Sequence, residues 1–189
     1  MIEMAILVGV IAVLAAIAIP NIDFQRFRMD SNMRAVQNQL IGAQMLSVQR
    51  KVRVILTFVY NEGQFRVVQD QNNDGLWGGA EPRNWRSLAE KMKIVIPPTT
   101  IDGASPYYAT GPGIRYVGIT GTSGTACASC PTMDIYPNGS TSGDVVVYFG
   151  SGKTARKSDY RAVQIYGSTS KVKLWRMQDD GSWKQDADN

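Results

Sequence analysis

The chain is 189 residues long, enough for one domain with a real core and one appendage, and two full domains would be a squeeze. Its 20 lysines and arginines against 16 aspartates and glutamates leave a formal charge of +4, far below what a dedicated nucleic-acid binder carries. Histidine is absent, which removes the commonest general base and zinc ligand; with no nucleophile, base and orienting group in a recognisable motif, no catalytic residue is assigned and the chain reads as a non-enzyme.

From Met4 to Ile22 no residue is charged, and Ala5 to Ile19 is almost purely aliphatic. At about 1.5 Å per residue such a run approaches the hydrocarbon thickness of a bilayer. Residues 1–22 are therefore expected to be the membrane-spanning half of a helix. A secretory signal peptide would open with a basic region and close on a small-residue cleavage site, whereas the charge at this end is the acidic Glu3. A carboxylate entering hydrocarbon costs a few kcal/mol, so Glu3 either rests at headgroup level or has a partner. Pro20 removes one intrahelical hydrogen bond and predicts a kink or an end close to it.

Residues 23–51 change character. Met29, Met33, Val36, Leu40 and Ala43 recur at helical spacing, while Arg26, Arg28, Arg34, Gln37 and Gln44 lie off that stripe. The expectation is one long helix whose second half is an amphipathic continuation packed under a globular domain. Arg26 and Arg28 would fall just outside the apolar half, near phospholipid headgroups or the acidic Asp23 and Asp30.

Residues 52–189 are β-rich. Val52 to Tyr60 and Gln64 to Val68 flank Asn61-Glu62-Gly63, a hairpin signal. Further strands are predicted at Lys93 to Ile96, Ile114 to Gly118, Met133 to Tyr136, Val145 to Phe149, Ala162 to Tyr166 and Lys171 to Trp175. The fold class expected is α+β: a long N-terminal helix, membrane-spanning in its first half and amphipathic in its second, packed on a β-sandwich-like extracytoplasmic domain.

Three clusters carry chemistry. Asp70, Asn72, Asp74 and Glu81, with Gly75 between, match the spacing of a calcium loop; no other cofactor is required. The loop follows a strand and Pro82 opposes an exit helix, so a metal-free Asn/Asp/Gly turn is the competing reading. Cys127 and Cys130 have redox-motif spacing but sit in a Gly/Ser/Thr loop, which favours a short structural disulfide outside the cytoplasm. Lys171, Lys173 and Arg176 lie close in sequence to Tyr160, Tyr166 and Trp175. That is either a DNA-binding surface with stacking aromatics or a solvated strand face.

The order Met1-Ile2-Glu3-Met4, then the aliphatic run, then Leu14-Ala15-Ala16-Ile17-Ala18-Ile19-Pro20-Asn21, closely resembles the N-terminus of type IV pilins and type II secretion pseudopilins. A weaker likeness, in strand order and in Asp134-Ile135-Tyr136-Pro137-Asn138-Gly139, is to the GspH/FimT-type pseudopilins. The resemblance implies a structural subunit that packs its helix against copies of itself or other pilins in a pilus or pseudopilus. Its other partners would be a prepilin peptidase, which precedes methylation of the new N-terminus, and an inner-membrane assembly platform. Glu3 would be the registry glutamate, pairing with a neighbour's terminal ammonium, and Pro20 the helix-breaking proline. Counted back from Glu3, the family's cleavage glycine and first two mature residues would precede Met1. The subunit would wait in the inner membrane with its domain outside the cytoplasm before joining an extracellular pilus or periplasmic pseudopilus. The alternative implied by the FimT side is a minor pilin acting as a DNA receptor, although the glycine-arginine-rich C-terminal motif of those proteins is absent here.

Overall fold

The computed structural model describes residues 2–18, 24–59, 64–74, 82–88, 92–101, 107–108, 111–112, 114–117, 132–151 and 156–186. Two helices come first, α1 (Ile2–Ala18) and α2 (Phe24–Arg50). Helix α2 is rich in Arg, Gln, Met and Leu, holds no proline, and is followed by Lys51, whose φ of 54° supplies the left-handed turn that commonly ends helices.

Twelve strands follow among the described residues, β1 (Arg53–Val59), β2 (Gln64–Asp70), β3 (Arg83–Ser87), β4 (Met92–Ile94), β5 (Tyr107–Tyr108), β6 (Gly111–Pro112), β7 (Ile114–Val117), β8 (Thr132–Ile135), β9 (Asp144–Ser151), β10 (Arg161–Ile165), β11 (Val172–Met177) and β12 (Trp183–Gln185). They build a four-stranded sheet in the order β3-β2-β1-β8 and a six-stranded sheet in the order β12-β11-β10-β9-β4, with β7 also paired to β9. A two-stranded β5-β6 ribbon completes the set, and the pairings are antiparallel.

The period-2 alternation of strands decides what each sheet faces. Val54, Leu56 and Phe58 of β1, Met133 and Ile135 of β8, and Val145, Val147 and Phe149 of β9 share one buried cluster with Met29, Met33, Val36, Leu40 and Ala43 of α2. The α2 stripe thus joins both sheets in a single core. Ser47, fully buried on the same helix, sits with its Oγ 2.8 Å from the Val52 carbonyl and 3.1 Å from that of Ile135, sharing its proton between the helix exit and β8. The opposite face of the six-stranded sheet carries a second, smaller cluster of Val146, Tyr148 and Ala162, with Ile101, Trp175 and Trp183 packed against it. Residues 95–101 cross this face: Val95 N–H donates to the Tyr148 carbonyl at 3.0 Å and Trp183 Nε1 to the Thr99 carbonyl at 2.9 Å.

The expectation of one long N-terminal helix, membrane-spanning and then amphipathic, on a β-sandwich-like domain is corrected. The described residues hold two separate, shorter helices, and the rest is mostly antiparallel sheet. Helix α1 has 17 residues, about 26 Å at 1.5 Å per residue, against roughly 30 Å for a hydrocarbon core. No helix among the described residues is long and apolar enough to cross a membrane. The uncharged run extends to Ile22, and the helix described within it covers Ile2–Ala18, with residues 19–23 outside the described residues.

Candidate functional site

Helix α1 is the unusual surface of this molecule. Its sequence IEMAILVGVIAVLAAIA carries one charged residue, Glu3, in the first turn, where the helix dipole favours an anion. Its described side chains, Glu3, Met4 and residues 6–12, are all exposed. Met4, Ile6, Leu7, Val8, Val10 and Ile11 each show more than half of their surface to solvent. At 100° per residue these six leave an arc of about 160°, which the small and likewise exposed Gly9 and Ala12 occupy, so over residues 4–12 the helix carries no charged face, a pattern found in helices that are covered on all sides. Covering each such side chain is worth about 1.5–3 kcal/mol when it leaves water. Pro20, the second residue of the expected assembly pair, lies outside the described residues.

The acidic loop is organised around an arginine. Arg53 stands opposite Asp70 in the β1–β2 register, and its Nε donates to Asp70 Oδ2 at 3.0 Å while Nη1 donates to Asp134 Oδ2 at 3.3 Å. The other Asp70 oxygen, Oδ1, accepts from the Asp74 backbone N–H at 3.2 Å, and Asn72 Nδ2 donates to Asp74 Oδ2 at 2.7 Å. Asp70 is fully buried, so both carboxylate oxygens are turned inward on protein donors. Burial pushes the Asp134 carboxyl above its ordinary value, against the pull of the Arg53 guanidinium and with a further push from Asp70. Burial disfavours the Arg53 charge, but its bonds to the two carboxylates outweigh that and its pKa stands above the ordinary value. One guanidinium between two carboxylates cannot satisfy both equally, and the buried Asp70, at the shorter distance, takes the better share. Glu81 lies outside the described residues, and no group of three or more acidic, histidine or cysteine side chains among those described is placed to hold a metal. Cys127 and Cys130 also lie outside the described residues.

The basic trio is not brought together. Lys173 and Arg176 are three residues apart on β11 and so face opposite sides of the sheet. Lys173 lies 5.3 Å from the centre of the Tyr166 ring on the outer face. Arg176 stands opposite Arg161 on the α2 side, with Nη2 donating to Asp186 Oδ1 at 2.6 Å. Lys171 is exposed just before the strand. On the outer face Gln164 Oε1 accepts from Trp175 Nε1 at 3.0 Å and from the Tyr166 hydroxyl at 3.1 Å, which locks two of the aromatics in place.

Sequence reasoning missed the contact that seats the helix. Arg161 is among the largest fully buried side chains, and its Nε donates to Asp30 Oδ1 of α2 at 2.7 Å while Nη1 donates to the Ser158 and Tyr160 carbonyls. The signal was in the alternation: Arg161, Val163 and Ile165 share the inward face of β10. An arginine on that face needs an acidic partner from the layer above. No protein-family model matches the chain, and neither does any curated protein or solved structure.

Proposed function

We propose that the chain is a structural subunit of a type IV pilus or type II secretion pseudopilus, assembling into a helical filament through α1. The observation that carries this reading is an apolar helix whose described side chains are all exposed, preceding a domain whose core cluster contains none of those described side chains. Such a helix is stable when neighbours cover it on every side. Copies of this chain or related pilins supply that cover, with Glu3 fixing axial register by pairing with a neighbour's terminal ammonium. Cohesion in this reading comes from subunit packing, with the inner membrane holding the subunit before an assembly platform extracts it. The net gain per side chain is smaller if the helix leaves lipid rather than water.

The test is electron microscopy of appendages sheared from the source cells, with peptide mass spectrometry and a strain carrying Glu3→Ala. Filaments built of this chain, lost or misassembled in the variant, are the expected result. Filaments lacking the chain altogether would refute it.

A further inference from the structure

The turn after β8 carries a second site, unrelated to assembly. Tyr136-Pro137-Asn138-Gly139-Ser140 contains Asn-Gly-Ser, the acceptor pattern of N-linked glycosylation, in which an asparagine is followed two residues later by serine or threonine with no proline between. The pattern alone is weak, and the geometry adds to it. Gly139 N–H donates to the Tyr136 carbonyl at 2.8 Å and Tyr136 N–H to the Ser140 carbonyl at 2.8 Å, closing a three-residue loop whose Gly139 has a φ of 82°. This is a type I turn followed by a left-handed residue, which pushes Pro137 and Asn138 outward, and both are exposed. Ser140 Oγ donates to Asn138 Oδ1 at 2.8 Å, and Ser140 N–H donates to the same oxygen at 3.0 Å. The amide oxygen is thus held by two donors, while Nδ2 donates to none of the described residues and faces solvent.

We propose that Asn138 is an acceptor site for N-linked glycosylation by a lipid diphosphate-linked oligosaccharide. In the transfer, Asn138 Nδ2 bonds to the anomeric carbon of the first sugar. The bond from that carbon to the diphosphate oxygen breaks, its electron pair leaving on phosphate, and one Nδ2 proton passes to a base of the transferase. Two hydrogen bonds to Oδ1 polarise the carbonyl and acidify the Nδ2 protons, one of which must be lost. The hydroxyl of Ser140 supplies one of those bonds. The competing fate of an Asn-Gly pair, attack of the glycine nitrogen on the asparagine side chain, is opposed here because the Gly139 N–H is engaged by Tyr136. Gly139 lies beside Val48, near the end of α2, about 36 Å along that helix from its start at Phe24.

The site rests on the filament reading only for its compartment, since lipid-linked glycans are transferred outside the cytoplasm; acceptor competence is a property of the folded turn. The test incubates the purified full chain in detergent with an oligosaccharyltransferase and its lipid-linked oligosaccharide. A short peptide bearing the same acceptor pattern, shown to be converted, is present in the same reaction. Intact-mass and peptide mass spectrometry should find one glycan, on Asn138, absent from Asn138→Gln, reduced to background in Ser140→Ala and retained in Ser140→Thr. A native chain left unmodified while the peptide is converted overturns the proposal, as does a chain modified only after denaturation or a glycan that persists in Asn138→Gln. Filament assembly plays no part in this assay, so its failure leaves the filament reading standing, and loss of filaments in Glu3→Ala leaves the glycan result unchanged.

Discussion

Arg161 and Asp30 meet across 2.7 Å at the junction of the six-stranded sheet and helix α2, with the arginine side chain 2 % exposed and the aspartate 32 %. Removing one partner of a buried pair leaves the other charge uncompensated, which typically costs about 3–5 kcal/mol. The partial exposure of Asp30 lets water screen it, so the loss depends on which side is cut. Arg161→Ala, which also empties a core position, is expected to lower unfolding stability by about 3 kcal/mol and Asp30→Ala by about 2. Urea unfolding measures both; equal and near-zero losses would show that the pair does not hold the helix.

The Asp70 loop gives a metal test. Because both Asp70 oxygens are engaged by Arg53 and Asp74, Asp70→Ala should destabilise the domain by about 2–4 kcal/mol, discounted for the partly exposed arginine. The loss should be the same in calcium as in a chelator, followed by thermal unfolding. A native chain whose melting temperature climbs with calcium, and a variant whose does not, would instead assign the loop as a calcium site.

Asp134 makes a pH prediction with a definite sign. Its folded-state pKa is raised above 3.8, first by burial, so the folded chain holds this proton more tightly than the unfolded chain does. The resulting stabilisation is fully present below the unfolded value and is lost as pH rises through the folded one. Relative to Asp134→Asn, the native chain should therefore lose stability across the interval beginning near 3.8 and extending upward. Urea midpoints of the two proteins over a pH series measure the difference, and a native chain that gains stability relative to Asp134→Asn as pH rises would contradict the burial argument.

Charges placed on α1 should separate assembly from folding. Ile6 and Val10 are 63 % and 54 % exposed, so Ile6→Asp and Val10→Asp are expected to change domain stability by no more than about 0.5 kcal/mol. Filament formation in the source cells should nonetheless be lost, because a buried carboxylate without a partner is costly at a packed helix surface. Filaments that survive both substitutions would remove α1 from the assembly contact.

Much of the strand pattern was legible before any coordinates. The stretches around Val54, Phe65, Ile114, Met133, Val147, Val163 and Leu174 are strands, and each is marked by β-branched or aromatic residues bounded by turn chemistry. Strands β3, Arg-Asn-Trp-Arg-Ser, and β12, Trp-Lys-Gln, were not, because these edge strands carry almost no β-branched or aliphatic residue. Their extended form comes from the backbone ladder of a neighbour rather than from an apolar alternation of their own.

By itself the sequence determined the apolar character of α1, the lone acidic residue at its start, the α2 stripe and the exclusion of imidazole chemistry, since each is a property of composition or of spacing along one element. Tertiary structure alone decided that the helix is two pieces, that Asp70 answers Arg53 and that Asp30 answers Arg161. It also decided that Lys173 and Arg176 face opposite sides of one sheet. Those outcomes depend on register and on which layer covers which face, and a one-residue change of register would reverse every one of the sheet-borne contacts.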